Sequence, residues 1–240
     1  MTGEFIVDGV GLAEGPGGTD LTLLSARQRR GLSECASFMV TAAAAALEDA
    51  EILVIDFPIV SGSSLGEIQT AEALCEMRVR GDGRTSPARF RNSVHNTVTG
   101  LISIASGSRA PCTSVAAGRA TVAVAILEAQ LQLKHGAPRV LLVVGDESVP
   151  QVFDSALCYP PVAGALLLAL AAGQSDQPTL ELIRPVETDV QTGPPSNGNP
   201  CTPMIDIVSS LRHRRTGAVV LPGLDGDTWK LQIGAPRGNA

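Results

Sequence analysis

The sequence is poor in aromatic residues, in histidine and in cysteine motifs. Only 3% of the 240 residues are Phe, Trp or Tyr, so the core must be built from Ala, Val, Leu and Ile. The five cysteines are odd in number and widely scattered, and no two of them form a CxxC pair. This pattern argues against a disulfide framework or a zinc site, and we expect free thiols in a reducing compartment with no metal and no cofactor.

Basic charge and long apolar runs are also scarce. There are 18 Lys and Arg against 24 Asp and Glu, a formal net charge of −6, which argues against nucleic acid as a partner. The longest apolar runs fall well short of the roughly 20 residues that span a bilayer. The N-terminus is acidic and lacks the plan of a signal peptide, so we expect a cytoplasmic protein without a membrane span.

Apolar segments of strand and helix type alternate along the chain. This order predicts an α/β fold with a central mixed sheet covered by helices on both faces. The predicted strands are 4–13, 51–62, 110–117, 139–147, 163–171, 217–223 and 228–235. The predicted helices are 31–50, 64–79, 92–107, 119–134 and 204–214. A capping box from Ser64 to Glu67 is expected to open the second helix, and 174–203 is expected to be irregular.

The stretch APCTSVAAGRATVAVAILEA, residues 110–129, has the strand–turn–helix order with which many α/β enzymes present a nucleophile. The residue at the bend is Arg119, between Gly118 and Ala120. A guanidinium stays protonated at any working pH and offers only hydrogen-bond donors, so it cannot attack a substrate. We expect Arg119 to turn towards a carboxylate, a carbonyl or a partner subunit, because a cation is disfavoured at a helix N-terminus.

Three stretches carry a resemblance to a known family: SPARFRNSVHNTVTGLISIASGSRAP, CTSVAAGRATVAVAILEAQLQL and RVLLVVGDESVP. Together they resemble the β-ketoacyl synthase-like N-terminal domain of chain length factors in aryl-polyene and related type II polyketide or fatty-acid-like pathways. The resemblance covers nearly the whole chain and implies a thiolase-like fold. It implies one N-terminal half, residues 1–240, without the second half that carries two assisting histidines in catalytic relatives.

Laying the ketosynthase pattern G-P-x-x-x-x-x-x-A-C over this chain puts Arg119 at the position of the nucleophilic cysteine. The resemblance therefore implies no catalytic residue here, and a chain length factor that pairs with a full-length β-ketoacyl synthase. That partner would perform the condensation, and the acyl carrier protein would dock mainly on it. This chain would help to shape the pocket for a growing polyene. The residues implied at the interface or pocket wall are Phe90, Asn92, Ser93, Val94, His95, Asn96, Cys112, Thr113, Ser114 and Val115.

Two other interpretations stay open at this stage. Cys112 could be the nucleophile of a stand-alone acyltransferase with His95 as its base, although a cysteine inside a strand more often packs as a small apolar residue. Alternatively, the chain could stabilise a ketosynthase without lining its pocket. His95 is expected on the helix 92–107 as a hydrogen-bonded structural residue. The acids of GDES, residues 145–148, are expected to be solvated at a strand end.

Overall fold

We describe a computed structural model, which defines residues 4–15, 20–81, 86–153, 159–171, 176–183, 198–224 and 227–236, with the side chain of residue 88 left out. The strands are β1 (Glu4–Glu14), β2 (Ile59–Gly62), β3 (Cys112–Val115), β4 (Arg139–Asp146), β5 (Val162–Leu170), β6 (Thr179–Ile183), β7 (Gly217–Pro222) and β8 (Thr228–Gly234). The helices are α1 (Glu34–Asp49), α2 (Ile68–Arg80), α3 (Pro87–Arg91), α4 (Thr97–Ser106), α5 (Thr121–Lys134) and α6 (Pro203–Arg212), with a 3₁₀ turn at Gly118–Ala120.

All eight strands form one mixed sheet in the order β3-β2-β4-β5-β1-β6-β8-β7. β3, β2 and β4 run parallel, and every other neighbouring pair is antiparallel. β4 and β5 are continuous apolar runs and are almost wholly buried, as expected of strands that are covered on both faces.

Helices cover the sheet on both sides, and the sheet separates the core into two layers. α5 and α6 pack on one face around Ile126, Leu166 and Met204. α1 and α4 pack on the other face around Met39, Ile102 and Leu167. The predicted fold class is therefore confirmed: a central mixed sheet lies between two helical layers.

The alanine-rich helix α1 approaches β1 unusually closely. A Cβ on Gly11 would collide with the carbonyl oxygen of Ala42, and one on Gly9 would collide with that of Ala46. Glycine on the strand and alanine on the helix thus bring the two backbones into contact. This close packing compensates for the shortage of large aromatic side chains.

One predicted strand is too long, and one strand was not predicted. β2 occupies only Ile59–Gly62 of the predicted strand 51–62, because Pro58 has no N–H and the sheet ladder begins after it. The segment 174–203 is not irregular throughout, since β6 pairs with β1 and β8 within it. Residues 184–197 of that segment lie outside the described residues.

Two predicted helix starts are also wrong. α2 begins at Ile68, and Ser64 does not cap it; its backbone N–H donates instead to Asp146. The predicted helix 92–107 is helical only from Thr97, and His95 lies in the preceding turn. The hydroxyls of Thr97 and Thr99 donate to the backbone oxygens of Val94 and Asn96, which favours a turn over a continuous helix.

Across the described ranges, every helix is too short or too polar to cross a membrane.

Candidate functional site

The loops that follow the three parallel strands meet at one edge of the sheet. In open α/β sheets this carboxyl edge is the usual place for a site. Here it collects the loop after β2, the turn after β3 that leads into α5, and the loop after β4. The N-termini of α1 and α2 reach the same edge, as their contacts with the β4 loop show.

Arg119 lies in the middle of the 3₁₀ turn between β3 and α5, with its side chain exposed. Gly118 before it has a φ of +53°, a left-handed conformation that glycine adopts without strain. The Thr121 hydroxyl closes the turn, donating to the Gly118 oxygen at 2.7 Å and accepting from the Ala117 N–H at 3.1 Å. The sequence order strand, bend, helix is therefore present, with a guanidinium at the bend.

Cys112 and His95 lie at opposite ends of the parallel strands. Cys112 is exposed at the start of β3, about 10 Å from the strand's carboxyl end at a rise of about 3.3 Å per residue. His95 sits at the carboxyl edge over Gly66, where a Cβ would lie 2.8 Å from its Cε1 atom. Partial burial raises the pKa of the Cys112 thiol, against a hydrogen bond from Ser103 that lowers it. A raised pKa disfavours the thiolate that nucleophilic attack requires.

The residues between α3 and α4 divide into exposed and structural groups. Phe90 and Val94 expose 65% and 43% of their surface, and His95 and Asn96 are also exposed. Asn92, in contrast, is buried and donates to the Gly31 oxygen at 3.2 Å. The half-buried Ser93 donates to the Phe90 oxygen at 2.8 Å. Among these expected interface residues, Asn92 and Ser93 support the local fold.

The side chains of β3 point to both faces of the sheet. Ser114 faces α4, where its hydroxyl lies 2.8 Å from that of Ser61 and 3.4 Å from that of Thr99. Val115 points to the opposite layer and packs against the cluster that contains α5. Thr113 is half-buried, and it shares the face of Val115 by strand alternation.

A buried acid that the sequence analysis expected to be solvated lies at the end of β4. Asp146 is 1% exposed and accepts from the Ser63 hydroxyl at 2.5 Å, the Ser64 N–H at 2.9 Å and the Cys201 thiol at 3.2 Å. Burial raises the pKa of this carboxyl, while the hydrogen bonds lower it. Asp146 therefore ties the loop after β2 to the start of the α6 region, and the expectation of solvation is wrong.

Glu147 is equally buried and joins two helix N-termini. Its carboxylate accepts from the Cys35 N–H of α1 at 3.1 Å and from the Gln69 N–H of α2 at 2.8 Å. Those are the positions where unsatisfied N–H groups and the helix dipole favour a negative charge. A cavity of about 320 Å³ borders this junction, lined by Ser33, Glu34, Gln69, Asn92 and Glu147 among others.

Two buried polar atoms at this edge have no hydrogen-bond partner among the described residues. They are Oε2 of Glu67 and the hydroxyl of Tyr159. Burial raises the pKa of Glu67 to about 7, with a further contribution from the charge of Glu147 and an opposing hydrogen bond from Ser33. Burial also raises the pKa of Tyr159, which lies near Asp146. Glu67 is therefore about half protonated near neutral pH.

Cys35 and Cys201 are both fully buried next to Asp146, and burial raises the pKa of each thiol well above its usual range. They are inert as nucleophiles for that reason. Cys75 is exposed on α2, and Cys158 lies outside the described residues. Within the described part of the chain, no three His, Cys, Asp or Glu side chains converge to hold a metal ion.

The sequence did not predict the group formed by Glu34, Cys35, Glu67, Asp146 and Cys201. These residues come from four separate parts of the chain, and only the fold brings them together. One signal was available: a continuous apolar strand followed at once by two acids, in VVGDE, places carboxylates at the carboxyl end of a buried strand.

The comparisons with known proteins agree with this architecture. A search of curated proteins finds no match. A family model described as the β-ketoacyl synthase N-terminal domain matches residues 9–219. Solved structures with the same fold include the ketosynthase ApeO in complex with its chain length factor ApeC from Xenorhabdus doucetiae, with a TM-score of 0.72 and 21% identity over 95% of this chain and 98% of that one.

Two further structures are similar. The ishigamide ketosynthase/chain length factor gives a TM-score of 0.77 at 12% identity, over 98% of this chain and 99% of that one. AntDE:AntF, described as an acyl carrier protein in complex with its ketosynthase, gives a TM-score of 0.74 at 13% identity, over 97% and 99%. At such identities the structures show the shared fold, and the family model shows the membership. The chain belongs to the β-ketoacyl synthase N-terminal domain family.

Proposed function

We propose that this chain is a catalytically silent chain length factor. It assembles with a full-length β-ketoacyl synthase and helps to shape the pocket in which a polyene or polyketide chain grows on an acyl carrier protein. The observation that carries the proposal is Arg119 at the bend between β3 and α5, the position that the resemblance assigns to the nucleophilic cysteine of catalytic members.

The same bend explains why the chain would lack condensing activity. Thiolate chemistry needs a cysteine activated by a base or by a helix N-terminus. The N-terminus of α5 is present, but the residue in front of it is a permanent cation that offers only hydrogen-bond donors. The order of strand, turn and helix is kept, while a residue that could react is absent from the bend.

A stand-alone acyltransferase receives no support from the geometry. Cys112 and His95 lie at opposite ends of the parallel strands, and the raised pKa of the Cys112 thiol disfavours its reactive form. We therefore retain only the chain length factor as the proposed function.

The open edge of β3 supports assembly with a second subunit. On one side β3 pairs with β2, and among the described strands none pairs with its other side. The oxygens of Pro111 and Val115 accept from β2, so the backbone groups of Cys112 and Ser114 point away from the sheet. An uncharged edge strand with free N–H and C=O groups pairs readily with a strand of another chain.

Exposed apolar residues in the segment before α4 would supply a wall for the pocket. Phe90 and Val94 are exposed in the segment that leads into α4, and α4 contacts β3. Burial of one exposed phenylalanine against a partner or an acyl chain contributes roughly 2 kcal/mol. These side chains are therefore suited to cover an apolar ligand at the subunit boundary.

The charge of the chain favours an asymmetric role in the complex. Acyl carrier protein is an acidic partner in the proposal, and the net charge of −6 raises the cost of its encounter with this subunit. The carrier protein would dock mainly on the ketosynthase, while this chain contacts the acyl group it delivers.

The test is co-expression with the ketosynthase encoded nearest to this chain in its genome. We expect the two to co-purify as a heterodimer, and we expect the ketosynthase to make a different product distribution, or none, without this chain. The proposal fails if this chain purifies as a stable monomer while the ketosynthase alone makes the same products at the same rate.

Pocket variants separate a lining role from a purely stabilising one. Phe90→Ala should lengthen the products and Thr113→Phe should shorten them, with the rate of condensation preserved within about threefold. Val79→Ala, at an exposed valine on α2, serves as the control and should leave the distribution unchanged. Mass spectrometry of the products gives the readout, and unchanged product length in both pocket variants contradicts a lining role.

A further inference from the structure

The segment Leu53–Phe57, just before β2, has a free main chain. It belongs to no helix or strand, and none of its backbone N–H or C=O groups has a hydrogen-bond partner among the described residues. Burial alternates along it, since Ile55 and Phe57 are buried while Val54 and Asp56 are exposed. This alternation is typical of an extended chain with one face on the core.

The exposed residues at the start of this segment are large and apolar. Leu53 is 98% exposed and Val54 is 70% exposed. A groove of about 500 Å³ runs beside them. Its walls are formed by Leu47 of α1, by Ala105 of α4 and by Ile52, which follows α1. Large apolar side chains exposed together in this way are typical of an interaction surface.

The surroundings of the groove are acidic. Glu48, Glu51 and Asp56 are all exposed, and none of them has an ion pair or a side-chain hydrogen bond with the described residues. Glu48 lines the groove itself. Three uncompensated carboxylates around an apolar strip attract a partner that carries basic residues next to apolar ones.

From these observations we propose that Leu53–Phe57 and its groove bind a protein segment that adds as a β-strand and alternates apolar with basic side chains. The unpaired backbone groups of the exposed residues Val54 and Asp56 pair with the incoming strand, the groove takes its apolar side chains, and the acidic rim takes its basic ones. A second copy of this chain is disfavoured, because self-pairing would bring the acids of both copies together. An anionic membrane is disfavoured by the same charges.

This surface lies at the amino end of the parallel strands, opposite the edge that holds Arg119. The inference therefore does not depend on the proposed chain length factor role. The two can fail separately, because binding at the groove is measured on this chain alone, without a ketosynthase.

The test uses a fluorescein-labelled peptide of sequence KVKVKVK, measured by fluorescence polarisation against the purified chain. We expect saturable binding and protection of the amides of Leu53–Asp56 from hydrogen exchange. A peptide of the same sequence N-methylated at every residue has no N–H donor on either edge, and it should bind at least tenfold more weakly.

Two charge variants separate this site from general attraction to an acidic protein. Glu51→Lys with Asp56→Lys should weaken binding at least tenfold. Glu72→Lys with Glu76→Lys on α2 changes the net charge equally and should weaken it by less than threefold. Likewise Leu53→Asp should abolish binding, whereas Val79→Asp, at a valine 86% exposed on α2, should not.

Three outcomes overturn the proposal. Equal losses in the two charge variants would reduce the binding to unspecific electrostatics. Equal affinity for the N-methylated peptide would exclude strand addition. Preferential binding to phosphatidylglycerol vesicles, lost in Leu53→Asp, would identify the surface as a membrane contact instead.

Discussion

At the scale of single residues, Arg119 removes the possibility of a nucleophile at the bend after β3, while the backbone of the bend depends on its neighbours. Gly118 supplies the left-handed turn and Thr121 closes it by two hydrogen bonds, so neither depends on the side chain between them. The local backbone that would hold a nucleophile in front of α5 is thus formed by its neighbours. The N-terminus of α5 should therefore lower the pKa of a thiol placed at this position.

Arg119→Cys tests this interpretation of the bend. We expect the new thiol to react with iodoacetamide at pH 7 at least five times faster than the exposed Cys75 of the same molecule, because the N-terminus of α5 stabilises a thiolate. Peptide mass spectrometry over time gives both rates in one sample. If the introduced thiol reacts no faster than that of Cys75, the bend does not present a residue to the helix N-terminus.

Glu67 is a second residue with a testable property, because its buried carboxyl has a raised pKa. Burial raises its pKa from about 4.5 to about 7, so the folded protein holds a proton that the unfolded chain releases between those values. Ionising the buried acid therefore lowers the stability of the fold as pH rises through this range, and the loss is complete above pH 7. By linkage its upper bound is about 3 kcal/mol.

Glu67→Gln should remove this loss, because the amide mimics the neutral acid at every pH. We expect the variant to match the wild type near pH 4.5 and to gain in free energy of unfolding up to about pH 7.5, measured by urea denaturation. Glu72→Gln, on the solvated helix α2, is the control and should show no such trend. A difference that is the same at all pH values would show that folding does not shift the pKa of Glu67.

At the scale of elements, the contact between α1 and β1 depends on small residues. Gly11→Ala would place a methyl group against the Ala42 carbonyl, which cannot move without shifting the helix backbone. We expect a loss of at least about 2 kcal/mol in free energy of unfolding, as for overpacked cores. Thermal and urea denaturation give the measurement.

Gly100→Ala, in the helix α4, is the matched control, because a Cβ added at Gly100 would have no neighbouring atom within 4 Å. Alanine in a helix interior should stabilise the protein by roughly 0.5–1 kcal/mol. If the two variants change stability by the same amount and sign, the close approach of α1 to β1 is not what constrains residue 11.

The elements that the sequence predicted well were those with a strong apolar run. β4 and β5 were predicted because their burial on both faces makes them continuously apolar, and α5 because its helix formers follow a glycine turn. β6 was missed because Thr179–Ile183 is short and follows residues that are typical of loops. The start of α2 was misplaced because its cap, Glu147, is distant in sequence.

Only the part of the candidate site that is contiguous in sequence was predicted. Arg119 lies where the order of strand, turn and helix indicated. The acids after β4 were expected to be solvated, because their partners Ser63, Cys35 and Gln69 become neighbours only through the fold. Interactions of this kind depend on tertiary structure, and no period or spacing in the sequence encodes them.

At the scale of the whole molecule, the two ends of the sheet are built differently. β7 ends at Pro222, and arginines at 212, 214 and 215 stand shortly before it, features that discourage pairing with another chain. β3 has neither charge nor an internal proline, and its outer backbone groups have no strand beside them in the described part of the chain. Of the two edges of the sheet, the β3 edge is therefore the better suited to pair with a strand of another chain.

Cys112→Pro tests this asymmetry at the level of the assembly. Residue 112 directs its N–H away from β2, so proline there keeps the β2–β3 ladder but removes an outward donor and crowds the incoming strand. We expect the variant to fold with a melting temperature near that of wild type and to bind the ketosynthase at least tenfold more weakly. Cys112→Ser keeps the N–H and should assemble normally, which separates loss of the backbone donor from loss of the thiol. Size-exclusion chromatography with light scattering measures the complex, and full assembly by a folded Cys112→Pro protein would place the subunit boundary elsewhere on the molecule.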